Sequence, residues 1–96
     1  MKVLVFGGTT EGRLLARELS ALGAQVTVSV ATALGAEELR GVPPLTVCVG
    51  RKDARQMRKM LPGFAVCVDA THPYAVRASG NIAAACARAG VPRLRL

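Results

Sequence analysis

The chain has 96 residues, 51% of them hydrophobic, with one Tyr, two Phe and no Trp, and a formal net charge of +7. That length holds one domain, the apolar content excludes a disordered chain, and no run approaches the roughly 18 apolar residues of a membrane span. The basic excess, thirteen Lys and Arg against six acids, favours anionic partners without choosing among nucleic acid, phosphate and polycarboxylates.

Val3, Leu4, Val5 and Phe6 form a short continuous apolar run, the pattern of a strand buried on both faces. Gly7 and Gly8 end it. Thr9, Thr10 and Glu11 follow, and from about Gly12 the spacing is helical, with Leu15, Leu19 and Leu22 as its apolar stripe. Strand, glycine turn and helix together hold phosphate: glycines let the backbone approach, and the unpaired N–H groups of the first helical turn face the anion. Gly7 and Gly12 match the first and third glycines of the dinucleotide fingerprint, and Thr9 replaces the second. A Walker-type phosphate loop is rejected, because Arg13-Leu14 stands where Lys and Ser/Thr are required. The bland alternative is a tight turn that binds nothing; its place at the first strand-to-helix turn argues for a nucleotide cofactor instead.

Gly23 is a natural helix stop, and Ala24 to Val30 reads as a second strand. An acid at the end of that strand would accept the ribose 2′-hydroxyl of NAD. Ser29, Ala31 and Thr32 stand there instead, which favours NADP, although no arginine adjoins the strand end in sequence. Thr32 joins the cofactor candidates. Ala33 to Arg40 reads as a short helix closed by Gly41 and Pro43-Pro44, and Leu45 to Val49 as a third strand ending at Gly50.

Asp53 has the look of an N-cap, with Ala54, Met57 and Leu61 as the apolar stripe of a helix that Pro62-Gly63 stops. Arg51, Lys52, Arg55, Arg58 and Lys59 make this segment basic. The plain reading is a solvated helix face; the sharper one has Gly50 and Arg51, at a strand's C-terminal end, reaching the cofactor or an acidic substrate. Nucleic acid is not expected, because the aromatic stacking platforms that accompany such charge are nearly absent.

Phe64 to Val68 reads as a fourth strand running into Asp69-Ala-Thr-His-Pro-Tyr74. An acid, a hydroxyl, the only His and a Tyr thus meet at a strand's C-terminal end, where open α/β sheets bind ligands. Pro73 keeps His72 out of helical geometry. His72 is either a packing residue at a helix entry or a group that donates a hydrogen bond or proton near neutral pH; Tyr74 reads as packing. A helix from Val76 to Ala89 follows, with Ile82, Cys86 and Ala89 along one stripe, then Gly90 and a fifth strand from Val91 to Leu96.

Cys48, Cys67 and Cys86 include no C-x-x-C pair, so neither a metal site nor a disulfide framework is expected. Cys48 and Cys67, each flanked by valines, read as small buried hydrophobes, and a cytoplasmic location follows by elimination. Five strands alternating with helices predict a three-layer, Rossmann-like α/β domain with a parallel sheet of order 3-2-1-4-5. The first and fourth strands are then neighbours, and Gly7–Arg13 faces Asp69–Tyr74 across one crevice.

Taken together, GGTTEGR after the first strand, DATHPYA after the fourth and GVPRLRL at the fifth resemble the precorrin-6A reductase family of cobalamin biosynthesis, including its cobalt-precorrin-6A members. The resemblance implies an NADPH-dependent reductase, with NADH in some members, acting on a ring double bond of a tetrapyrrole held between two Rossmann-type halves. It implies cofactor contacts from Gly7, Gly8, Thr9, Thr10, Glu11, Gly12 and Arg13. It places Asp69, Thr71, His72, Pro73 and Tyr74 at the substrate cleft, with His72 the candidate catalytic group. Residues 1–96 are expected to be the N-terminal cofactor domain of a protein with a second half, and to bind little and catalyse nothing alone. The alternatives are a Rossmann-type reductase or epimerase on another small substrate, and a basic nucleotide- or nucleic-acid-binding module.

Overall fold

The first strand, β1 (Lys2–Phe6), is buried on both faces, as its unbroken apolar run requires. The computed structural model describes residues 1–40 and 45–96; Gly41 and Pro43-Pro44, read above as a helix stop, lie outside them. After β1 come α1 (Thr10–Ala21), β2 (Gln25–Val30), α2 (Ala33–Glu37), β3 (Leu45–Val49), α3 (Ala54–Met60), β4 (Val66–Asp69), α4 (Val76–Ala89) and β5 (Arg93–Arg95). All pairings are parallel and the order is β3-β2-β1-β4-β5, as predicted.

The two-residue period of the strands sorts the core into two layers. Val3, Val5, Val26, Val28, Val30 and Val68 meet Ala16 of α1 and Leu39 on one face. On the other, Leu4, Phe6 and Cys67 meet Met57, Leu61, Ile82, Ala85 and Cys86 from α3 and α4. Each large aliphatic side chain so buried contributes about 1.5–3 kcal/mol. Helix ends are fixed locally: Thr9 caps α1, Thr32 caps α2, and Asp53 and Gln56 form a reciprocal capping box on α3. Gly90 closes α4 in the left-handed conformation at φ 70°.

Leu22, Ala89 and Cys48 differ from the sequence pattern. Leu22 is 81% exposed, because α1 ends at Ala21 and Leu22 is only its C-cap. The face that meets the sheet is Gly12, Ala16 and Ser20, with Leu15 and Leu19 packed at its flanks; small residues there let the helix axis come close. Ala89 is likewise exposed, and Ala85 takes its place beside Ile82 and Cys86. Cys48 is half-buried rather than buried, since β3 is an edge strand with a single strand neighbour.

The remaining two cysteines are fully enclosed in the α3/α4 layer. Burial first, then the neighbouring Cys86 and Asp69, pushes the Cys67 thiol far above its ordinary value, and burial pushes Cys86 up as well. Thiolate is the reactive form. Under native conditions iodoacetamide should therefore modify Cys48 and spare Cys67 and Cys86 until the protein unfolds; peptide mass mapping of the alkylated protein checks this.

Candidate functional site

The C-terminal ends of β1 and β4 lie side by side, Phe6 paired with Asp69, and the ladder continues past both strands. The N–H of Gly7 donates to Ser29 O at 2.8 Å, and that of Ala70 to Phe6 O at 2.9 Å. The two motifs predicted to face each other are thus drawn to one edge of the sheet. A side chain ties them together: Thr9 Oγ1 donates to Ala70 O at 2.9 Å and accepts from the Gly12 N–H at 3.1 Å.

Within the first turn the three glycines have separate tasks. Gly8 sits at φ +134°, a backbone region that side chains rarely adopt. A Cβ on Gly7 would lie 3.1 Å from Val28 Cγ1, and one on Gly12 would lie 2.6 Å from Ala70 Cβ. Gly12, a candidate cofactor contact in the sequence, is buried and serves helix–sheet packing. Thr9 also acts from behind, its hydroxyl engaged on both sides. Thr10 and Glu11 occupy the exposed first turn of α1, whose leading N–H groups have no helical carbonyl to bond.

From this turn a groove of about 300 Å³ opens toward α2, lined by Gly7, Gly8, Thr9, Arg13, Thr32 and Glu38, among others. Arg13 crosses it to meet Glu38, Nη1 to Oε2 at 2.8 Å. An arginine does therefore stand at the end of β2, against the sequence-based expectation; it arrives from α1, thirteen residues into the chain, where adjacency to β2 was not visible. Thr32 lines the same groove while its hydroxyl accepts from the Gly35 N–H at 3.2 Å.

A second crevice, of about 420 Å³, opens on the other side of the glycine turn. Gly7 and Gly8 line it together with Arg51, Lys52, Thr71, His72, Tyr74, Arg77 and Asn81, so the two motifs share one cleft. Gly50, at φ +120°, lines the smaller recess beside Arg51, and its carbonyl accepts from Lys52 Nζ at 2.8 Å. Arg77 and Asn81 belong to neither sequence motif. Both lie in the first two turns of α4, four residues apart and hence on one helix face, and that spacing was the available signal.

His72 and Tyr74 are both exposed, and their rings stack with centroids 5.0 Å apart. The Tyr74 N–H donates to His72 Nδ1 at 3.3 Å, which leaves Nε2 to carry the proton of the neutral imidazole. Tyr74, 86% exposed, is no core residue, contrary to the packing reading; its ring braces the imidazole. Pro73 lies exposed between them.

Asp69 departs most from expectation. Its side chain, expected at the substrate cleft, is 0% exposed and acts as the post that holds the bend. Oδ1 accepts from the Thr71 N–H at 3.0 Å and from Thr71 Oγ1 at 2.6 Å, and Oδ2 accepts from Ser79 Oγ of α4. Arg95 Nη1 lies 3.3 Å from Oδ1 and donates to the carbonyls of Asp69 and Thr71 at 3.1 and 2.9 Å. Burial opposes the charged form, yet the hydrogen bonds from Ser79 and Thr71 and the Arg95 charge outweigh it and hold the carboxyl below its ordinary value. Ser79 and Arg95 were invisible as partners because they lie 10 and 26 residues away along the chain.

The geometry suits a nucleotide. A glycine cradle at the start of a helix is a ready-made anion site, a groove with an arginine opens on one side of it, and a wider crevice bearing an imidazole opens on the other. Among the described residues no group of three His, Cys, Asp or Glu is gathered as a metal ion would need, and no helix is long and apolar enough to cross a membrane.

Comparison with known proteins agrees with this architecture. Residues 2–96 match the family described as Precorrin-6x reductase CbiJ/CobK. The cobalt-precorrin-6A reductase of Salmonella typhimurium is 42% identical over 91 residues, which cover 93% of this chain and 34% of that protein. The precorrin-6A reductase of Rhodobacter capsulatus is 36% identical over 90 residues, covering 94% and 36%. A solved structure of CobK precorrin-6A reductase superposes with a TM-score of 0.82 at 33% identity, over 100% of this chain and 37% of that one. The chain thus spans about a third of the length of these relatives. Matched to the family model over residues 2–96 and to the CobK fold at a TM-score of 0.82, the chain belongs to the precorrin-6x reductase CbiJ/CobK family.

Proposed function

We propose that this chain is the cofactor-holding part of a pyridine-nucleotide-dependent reductase that reduces a ring double bond of precorrin-6A or its cobalt form. The observation that carries the reading is the shared cleft: the glycine turn after β1 and the bend after β4 line one crevice and are tied by the Thr9–Ala70 hydrogen bond. NADPH is the preferred cofactor and NADH a possible substitute. When bound, the nicotinamide supplies the hydride, and the protein's work is to bind and orient.

Gly7 and Gly8 let the backbone approach the pyrophosphate, with Thr10 and Glu11 presenting the leading helix N–H groups. Arg13 and Thr32 take the ribose end, and Gly50 and Arg51 border the nicotinamide side. Arg51, with Lys52 and Arg77 beside it in the crevice, meets the carboxylates of the tetrapyrrole. Thr71, His72, Pro73 and Tyr74 form the substrate wall, with Asp69 behind it. The Nε2–H of His72 donates a hydrogen bond to the ring position that gains electrons, and solvent supplies the proton that completes the reduction. A second domain would close the cleft, and no nucleic acid or membrane partner is invoked.

The test is made on the full-length protein. NADPH consumption should depend on precorrin-6A or cobalt-precorrin-6A, and His72→Ala should lower kcat by about 100-fold while NADPH affinity stays within about threefold. Unchanged turnover in that variant would make His72 structural. Absence of NADPH and NADH binding by the unsubstituted protein would end the cofactor reading.

A further inference from the structure

A nucleotide site of this architecture ordinarily carries, at the end of β2, either an acid for a ribose 2′-hydroxyl or an arginine for a 2′-phosphate. Here both stand in one groove and are bonded to each other, Arg13 Nη1 to Glu38 Oε2 at 2.8 Å. Their backbones are anchored independently. The Arg13 N–H donates to Thr9 O in the first turn of α1, and the Glu38 N–H donates to Leu34 O at the end of α2. Either side chain can rotate without moving a helix. Both are partly open to solvent, with the Arg13 side chain 30% and Glu38 52% exposed, and an ion pair so exposed is weak and readily exchanged.

We propose that Arg13 and Glu38 form an exchangeable ion pair that sets the choice between NADPH and NADH, an assignment that rests on the cofactor reading above. With a 2′-phosphate in the groove, the Arg13 guanidinium leaves Glu38 and bonds the phosphate, a stronger, charge-assisted partner. With a 2′-hydroxyl, the pair stays closed and Glu38 accepts a hydrogen bond from the hydroxyl on its second oxygen, since one carboxylate has room for both donors. Glu38 thus restrains affinity for NADPH, by occupying Arg13 and by its own charge, while supporting NADH. It is a specificity residue that lies outside the glycine motif and beyond the end of β2.

Dissociation constants of NADPH and NADH, and of the fragments 2′,5′-ADP and 5′-AMP, should be measured by calorimetry on the full-length protein and its variants. Glu38→Gln should raise the preference for NADPH over NADH by about tenfold, and Arg13→Ala should lower it by about tenfold. The fragments should follow in the same directions, which excludes effects at the nicotinamide end. Thermal melts of Glu38→Gln and Arg13→Ala separate a merely structural pair, which would shift both melts and leave the cofactor ratio alone. If both cofactors bind and the Glu38→Gln ratio stays within about twofold of the unsubstituted protein, the exchange is refuted and the cofactor reading stands. If neither cofactor binds the unsubstituted protein, both fall.

Discussion

Asp69→Ala should destabilise the protein by about 3 kcal/mol, the cost of stranding buried donors and a guanidinium that were arranged around one carboxylate. The side chain is fully enclosed and serves Thr71, Ser79 and Arg95 at once. Removing it therefore unties the bend from α4 and from β5 together. Asp69→Asn, which keeps the shape but turns an NH₂ against those donors, should cost about 2 kcal/mol by the same argument. The pH dependence has a definite sign. Because the folded carboxyl sits below its ordinary value, the unfolded chain binds the proton more readily. This contribution to stability is complete above about pH 4 and is lost as pH falls through the lower folded value. Urea midpoints followed from neutral pH to below about pH 4 should fall more steeply for the unsubstituted protein than for Asp69→Asn. Parallel curves would show that the carboxylate charge contributes nothing.

Gly12→Ala should destabilise by about 2 kcal/mol and weaken NADPH binding, although alanine is the better helix former. The added Cβ would stand 2.6 Å from Ala70 Cβ, and neither carbon is the end of a flexible side chain that could turn aside. The start of α1 has to lift from β4. That movement breaks the Thr9–Ala70 hydrogen bond and widens the cleft at the place where a pyrophosphate would lie. Gly80, inside α4 with open space around its Cβ position, is the matched control: Gly80→Ala should stabilise by about 0.5–1 kcal/mol. Opposite shifts in Tm for the two variants check the argument. Equal shifts would mean that close packing at Gly12 has no energetic weight.

The parts of the fold set by local chemistry were readable in advance. The bounds of α4, the Asp53 cap of α3 and the strand order follow from apolar period, turn residues and the handedness of parallel crossovers. The site was readable as two facing motifs. What each residue does there was less so, because the deciding contacts are distant in sequence. Arg95 reaches Asp69 from β5, and Glu38 reaches Arg13 from the far side of α2. Asp69 looked like a ligand contact since it ends a strand beside Thr71 and His72. Yet the alternation that turns Cys67 toward α3 and α4 turns Asp69 the same way, toward Ser79 of α4. Leu22 looked like core because a stripe count carries no information on where a helix stops.

The Thr9–Ala70 tie has a consequence for biosynthesis. It joins positions 61 residues apart, and β1, translated before the other four strands, ends up in the middle of the sheet with β4 as its second neighbour. A ribosome that has released only the first three strands has produced half a cradle, with one edge of β1 still open to chance pairing. On the cofactor reading proposed above, the cradle for a dinucleotide is therefore completed late, once Ala70 has emerged and docked. On a series of stalled nascent chains, its completion would serve as a direct marker that the central strand has been enclosed.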